Sequence, residues 1–380
     1  MPATIAVDLS PEELERYGRH LILPEVGFAG QRALKVSRVL LIGAGGLGSP
    51  AALYLAAAGV GTLGIVDFDA VERTNLQRQV VHSTAEIGQS KAASAARRIE
   101  ALNPNVRAVV HAQRLGADNA LDLLRDYDVI IDGTDNFQAR YLVSDACVML
   151  GKPNVHGSVY RFEGQASVFD ARRGPCYRCM FPKPPPPGSA PSCADAGVLG
   201  VLPGIIGLIQ ATETIKLVLG LGEPLIGRLL TFDALRMRFR DLKLRKDPRC
   251  VACGPDASLT TLVEEDMSCE PSVSADEIAP RELKAKLDRG EPVVLLDVRD
   301  PDEISVSKIA GAREVPLAEL EARLGELDKQ SDVVAYCLSG SRSGRAARQL
   351  RAAGFLRVKN LSGGIKAWVD QVDSSLPRYW

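Results

Sequence analysis

The sequence predicts an α/β protein: a doubly wound, mostly parallel sheet over residues 1–258, a linker at 259–274 and a smaller α/β unit over 275–380. Three observations predict it. Residues 39–69 read as strand, glycine loop, helix and strand. The run VLLI suits a buried strand, Gly43, Gly45 and Gly48 form G-x-G-x-x-G, and a second strand at 63–66 ends on Asp67. Residues 128–132 (DVIID) form another buried strand ending in acids, where open α/β sheets bind ligands. Composition turns polar and acidic at 260–274, with Pro271, and strand and helix patterning resumes beyond it.

Each part of the first segment has a physical role. Gly43 permits a tight turn, Gly45 lets backbone approach a phosphate, and Gly48 lets helix and sheet pack closely. The following helix starts with unpaired N–H groups, an anion site. Asp67 stands where a carboxylate meets a ribose hydroxyl. This is a nucleotide-binding βαβ unit.

A chain of 380 residues is long enough for two or three domains, each with its own core. The net charge of −1 implies no polyanion partner, hence no nucleic acid. The N-terminus carries acids and no apolar core of signal type, which points to a cytoplasmic protein. The longest apolar run, 198–209, is too short to span a bilayer and is expected inside the domain, so no membrane is implied. Eight cysteines include two C-x-x-C pairs, which in a cytosolic chain favours metal or catalysis over disulfides. There is no internal repeat.

Ser10, Pro11 and Glu13 open a helix with a capping box, and it runs through Arg19 to His20 as a surface amphipathic helix. Residues 69–79 are polar and do not read as a crossover helix; Asn75, Gln77 and Arg78 are in reach of nucleotide phosphates. Lys91 falls in the first turn of a long helix, where it opposes the helix dipole. It is either a solvated lysine or a phosphate clamp. Asp132 and Asp135, three apart beside a phosphate, suit Mg²⁺, with helix capping by Asp135 as the competing explanation. Residues 154–160 and 164–170 are further strands. Cys176 and Cys179, with Cys250 and Cys253, match a four-thiolate zinc site; thioredoxin-type redox is the alternative for either pair alone. The stiff proline-rich stretch 182–192 leads to Cys193, either an incidental exposed thiol or a nucleophile or exchange partner. Residues 199–219 are helical and broken at Pro203, and 228–243 suit two final strands. Cys269 in the linker has no identifiable partner.

In the second unit a helix spans 280–289 and a strand spans 293–298. A buried strand at 332–336 runs into Cys337-Leu-Ser-Gly-Ser-Arg342-Ser343 and a helix at 344–353. Backbone N–H groups around Cys337, with Arg342 at the rim, make an anion cradle that should lower the thiol pKa. That suits a sulfur-carrying persulfide or a phosphate-attacking nucleophile; a buried inert cysteine is the bland alternative.

These motifs carry a family resemblance over nearly the whole chain. GAGGLG (43–48), VDFD (66–69), TNLQRQ (74–79), GQSK (88–91), DGTDN (132–136) and the paired C-x-x-C resemble the adenylating enzymes related to ubiquitin activation, specifically the molybdopterin-synthase and thiamine sulfur-carrier adenylyltransferases. LLDVRDPDE (295–303), IAGA (309–312), the CLSGSRS loop and SGGIKAW (362–368) resemble a rhodanese domain. One departure is ISVSKIAGA, with Lys308 near where rhodaneses usually carry a histidine. The resemblance implies a Rossmann-like doubly wound adenylation domain with a structural zinc site, plus a smaller α/β rhodanese domain. It implies that Gly43, Gly45, Gly46, Asp67, Thr74, Asn75, Leu76, Gln77, Arg78 and Lys91 bind ATP, with Asp135 and Asn136 near the nucleotide and Asp132 on Mg²⁺. Arg19 would reach the partner subunit's ATP in a homodimer. Cys193 sits where relatives place the adenylation-domain cysteine, which forms a thioester or resolves a disulfide. Cys337 would carry the persulfide, beside Arg342. The partners implied are a ubiquitin-like sulfur-carrier protein ending in Gly-Gly and a sulfur donor, thiosulfate or a cysteine desulfurase. A dinucleotide-dependent oxidoreductase and a non-catalytic scaffold are the rival readings.

Overall fold

The computed structural model describes residues 7–185, 197–264 and 276–380. Those up to 264 form one compact unit and 276–380 a second.

The first unit is built on eight strands: β1 Arg38–Ile42, β2 Thr62–Val66, β3 Arg107–His111, β4 Val129–Asp132, β5 Asn154–Tyr160, β6 Glu163–Phe169, β7 Arg228–Asp233 and β8 Arg238–Lys243. Their order in the sheet is β3-β2-β1-β4-β5-β6-β7-β8. The first five run parallel and the rest antiparallel. Strand order reverses between β1 and β4, where a doubly wound sheet opens a ligand crevice. Ile42 pairs with Asp132, so the glycine loop and the DGTDN loop leave adjacent strand ends.

The unbroken apolar run of β1 follows from burial on both faces. Val39 and Leu41 join one core layer with the helices Gly48–Ala58 and Lys91–Leu102; Leu40 and Ile42 join the other with Ala120–Arg125 and Phe137–Leu150.

Three segments differ from the sequence expectation. The N-terminal helix has its capping box at Ser10 but ends at Arg16; Tyr17 leaves helical geometry and a short helix, Gly18–Leu21, follows. Tyr17 is buried, receives a hydrogen bond from Asn103 at 2.8 Å and lies where any Cβ on Gly59 would collide with its ring. Burying that ring outweighs continuing the helix. Second, Val201–Leu219 is one unbroken helix, because Pro203 falls in its first turn, where no backbone N–H is needed. Among the described residues this helix alone is long and apolar enough to cross a membrane; here it packs on β4, β5 and β6. Third, residues 259–264 are not free linker: Leu262 packs on a core layer, and Glu264 accepts hydrogen bonds from Ala117 N and Gln138 Nε2, both at 3.2 Å.

The second unit holds a five-stranded parallel sheet: β9 Glu277–Ile278, β10 Val293–Asp297, β11 Arg313–Glu314, β12 Asp332–Tyr336 and β13 Arg357–Leu361, in the order β11-β10-β12-β13-β9. Central β12 delivers Cys337 to its carboxyl end, and the helix Ser341–Ala352 begins three residues before the expected start.

Candidate active sites and a cysteine cluster

At the end of β1, Gly43 has φ +94°, a conformation that disfavours side chains, and a Cβ on Gly48 would come within 1.9 Å of Gly43 O. The loop closes only with glycine at both positions. Asp67 Oδ2 accepts a hydrogen bond from Ala44 N at 2.8 Å and Oδ1 one from Asp69 N at 2.9 Å. Burial raises the Asp67 pKa against those backbone bonds and the Lys91 charge. The Ala44 carbonyl is held by His82 Nε2 at 3.1 Å and Ser49 Oγ at 3.2 Å. The two peptide groups that meet at Ala44 are therefore both fixed before any ligand arrives.

Lys91 is not a solvated lysine. It is buried, and its Nζ donates to Asp69 Oδ2 at 2.8 Å. Gly46 lies against Arg78 and Pro203, and Gly45 faces Gln79. Asn75 Oδ1 and Gln79 Oε1 are buried without hydrogen-bond partners, two acceptors at the loop that a ligand could satisfy. Thr74 and Gln77 are exposed and Leu76 half-buried. The structure thus gathers the glycine loop, Asp67, Arg78 and Lys91 at one end of the sheet. None of the contacts described there involves Arg19, which is exposed on Gly18–Leu21.

The acids of DGTDN separate. Asp132 is fully buried: Oδ1 accepts from the Thr134 hydroxyl at 2.6 Å and from Thr134 N at 3.1 Å, and Oδ2 from His156 Nδ1 at 2.9 Å. Burial alone would raise its pKa, but the His156 hydrogen bond and charge, with Arg140, hold it below the usual carboxylate range. With both oxygens engaged and no exposure, Asp132 does not fit a Mg²⁺ ligand. Asp135 does: it is exposed, and the helix Phe137–Leu150 is capped not by it but by Asn136, whose Oδ1 accepts from Ala139 N at 2.9 Å.

The sequence reading missed the support beneath this loop. His156 is wedged between Asp132 and the rings of Phe169 and Tyr177. Buried Gln210 donates to Asp132 O at 2.8 Å and Val155 O at 2.9 Å. A glutamine inside an apolar helical run was the available signal for the second; nothing local marked the first.

Cys176, Cys179, Cys250 and Cys253 place their sulfurs within 4.8 Å of one another. Separations are 3.5 Å for Cys176–Cys250, 3.4 Å for Cys179–Cys253 and 3.9 Å for Cys176–Cys179. A tetrahedral site with Zn–S bonds of about 2.3 Å has sulfur edges of about 3.8 Å, so the donor set fits a structural metal. Cys193 lies outside the described residues.

In the second unit, Cys337 is buried, and its Sγ accepts from Gly340 N at 3.2 Å and the Ser343 hydroxyl at 3.4 Å. The Ser343 hydroxyl has Gly340 O as a second acceptor at 3.2 Å, so the Gly340 N–H is the donor committed to this sulfur. The SGGIKAW segment braces the loop: Ile365 N donates to Cys337 O at 2.8 Å, and a Cβ on Gly364 would strike that carbonyl at 2.4 Å. Arg342 is committed to a carboxylate. Its guanidinium forks onto Glu303 at 2.5 and 2.6 Å. Lys308, near the position of the missing histidine, pairs with Glu314 at 2.7 Å.

Both units have counterparts among known proteins. Residues 17–252 match the ThiF family and 279–371 the rhodanese-like domain. The chain is 49% identical over 386 residues to a probable adenylyltransferase/sulfurtransferase MoeZ of Mycobacterium tuberculosis, covering 98% of this chain and 96% of that one. It is 43% identical over 403 residues to the adenylyltransferase and sulfurtransferase MOCS3 of Bos taurus, covering 98% and 89%. The E. coli MccB structure with ATP shares the fold at TM-score 0.56 and 21% identity, covering 67% of this chain and 76% of that one. The chain therefore belongs to the ThiF family, in the group of adenylyltransferase/sulfurtransferase enzymes that carry a rhodanese domain after the adenylation domain.

Proposed function

We propose that this enzyme adenylates the C-terminal glycine of a ubiquitin-like sulfur-carrier protein with ATP and then transfers sulfur from a Cys337 persulfide to give the carrier thiocarboxylate. The observation that carries the proposal is the joining, in one chain, of a preorganised glycine loop flanked by Lys91 and Arg78 with a cysteine whose sulfur is met by loop donors. The carrier carboxylate attacks the α-phosphate and pyrophosphate leaves, giving an acyl-adenylate. Lys91 and Arg78 offset the charge that develops there. When bound, Mg²⁺ would neutralise phosphate charge, and Asp135 is the residue that would hold it. The Cys337 persulfide then attacks the acyl carbon, displacing AMP. A thiol, for which Cys193 is the candidate, attacks the Cys337 sulfur of the acyl disulfide, releasing the thiocarboxylate and leaving a protein disulfide for an external thiol to reduce. Arg19 would complete the partner's nucleotide site in a homodimer, and the sulfur donor would be thiosulfate or a cysteine desulfurase.

The test is to mix the protein with ATP, Mg²⁺, thiosulfate and a Gly-Gly carrier and take the carrier's intact mass. One oxygen replaced by sulfur supports the proposal. No exchange of pyrophosphate into ATP with any candidate carrier would sink it.

We propose that the four-cysteine cluster holds structural Zn²⁺. The metal analysis should give one zinc per chain. Replacing Cys176 by serine should abolish it and lower the melting temperature of the first unit by 10 °C or more, on the order expected for a lost structural metal. Full retention of stability without metal would refute the assignment.

A further inference from the structure

The rim of the Cys337 loop carries a guanidinium that is already engaged. This cation, Arg342, meets both oxygens of Glu303, and Asp300 Oδ2 lies 3.5 Å from its Nη1. Glu303 is itself held from two further sides: the Tyr379 hydroxyl donates to Oε1 at 2.7 Å, and Asp300 N donates to Oε2 at 3.1 Å, closing the capping box of the helix Pro301–Val306. Tyr379 is fixed in turn, because its oxygen accepts from Arg299 Nη1 at 3.1 Å. Arg299 is fully buried and clamped by Asp297 at 2.6 and 2.9 Å and by Ser307 O at 2.7 Å. A chain of bonds thus runs from the core of the unit, through Tyr379, to the Arg342 guanidinium at the rim of the Cys337 loop. The pKa of Glu303 is drawn down to about 2: burial alone would raise it, but the hydrogen bonds from Arg342 and Tyr379 prevail.

Thiosulfate is a dianion. The Cys337 thiolate must attack its outer sulfur; the S–S bond breaks, sulfite leaves with the electron pair, and the persulfide remains. Binding that dianion beside a thiolate calls for uncompensated positive charge. Resting on the sulfur-transfer reading of Cys337, we propose that Glu303, backed by Tyr379, is a specificity-determining positioning residue that occupies Arg342 and so disfavours small dianionic sulfur donors. Lys308 supplies no substitute, being paired with Glu314.

The test uses the full-length protein and follows thiosulfate-dependent sulfur loading, read as thiocyanate released by cyanide, over a range of thiosulfate concentrations. Glu303→Gln keeps one acceptor oxygen, enough for Tyr379 or for Asp300 N but not both, and removes the carboxylate charge from the guanidinium. It should lower the KM for thiosulfate about tenfold, the change that 1.4 kcal/mol of recovered attraction produces. The kcat should change little, and added salt should erase the gain. Tyr379→Phe, a milder change, should move KM the same way by less. Adding Arg342→Ala to Glu303→Gln should cancel the improvement. An unchanged or raised KM in both Glu303→Gln and Tyr379→Phe, with Cys337 still acquiring sulfur, overturns the role of Glu303 and leaves the sulfur-transfer reading standing. Failure of Cys337 to acquire sulfur in the wild-type protein from thiosulfate or a cysteine desulfurase, judged by intact mass, overturns both.

Discussion

Replacing Cys337 by alanine is expected to reduce carrier thiocarboxylate formation by about a thousandfold or more, because no other group takes over a nucleophile that forms the covalent intermediate. The adenylation half-reaction should survive, with ATP–pyrophosphate exchange within about twofold of wild type, since it draws on a separate set of residues in the other unit. The unit should also stay folded. Alanine fits the space of the buried thiol, and the Cys337 carbonyl still receives Ile365 N. What is lost is the acceptor for Gly340 N and the Ser343 hydroxyl. The discriminating measurement is intact mass of the protein after incubation with thiosulfate. A sulfur adduct that persists in Cys337→Ala would move the persulfide to another cysteine.

The second large effect separates two aspartates three residues apart. Asp132→Ala removes the partner of buried His156 and of two Thr134 donors, so it should cost about 3 kcal/mol or more in urea unfolding. Asp135→Asn touches an exposed side chain and should leave stability within about 0.5 kcal/mol. Its effect should fall on catalysis, with adenylation slowed about a hundredfold and partly restored by raised Mg²⁺. The reverse pattern, Asp132→Ala stable and Asp135→Asn fully active, would return the metal-binding role to Asp132. Asp132 also sets an acid-side limit. Its folded pKa lies below the ordinary value of 3.8, so the stability it contributes is present above that value and is lost as pH falls further.

What the sequence made legible was whatever is carried by contiguous residues. The glycine loop, the doubly buried strands, the paired C-x-x-C and the Cys337 loop each state their geometry within a few positions. Pairings across long separations left no such mark. Arg342 reads as a cation for the sulfur because nothing near it announces Glu303, 39 residues earlier. Asp132 reads as a metal ligand because His156 is contributed by a neighbouring strand. Asp135 is not the helix cap either: the helix begins at 137, and Asn136, an equally good cap, is the one used. Pro203 reads as a breaker, and only the position of the helix start shows it to be harmless.

The helix Val201–Leu219 bears on how the chain reaches this fold during synthesis. Its principal neighbours are the helices Gly27–Val36 and Gly48–Ala58 and strands β4, β5 and β6, all encoded before it. At about 5–20 residues per second the ribosome releases those elements first. A segment apolar enough to be taken for a membrane span therefore emerges beside the surface that covers its buried face, and the time that face spends exposed to membranes and chaperones is short.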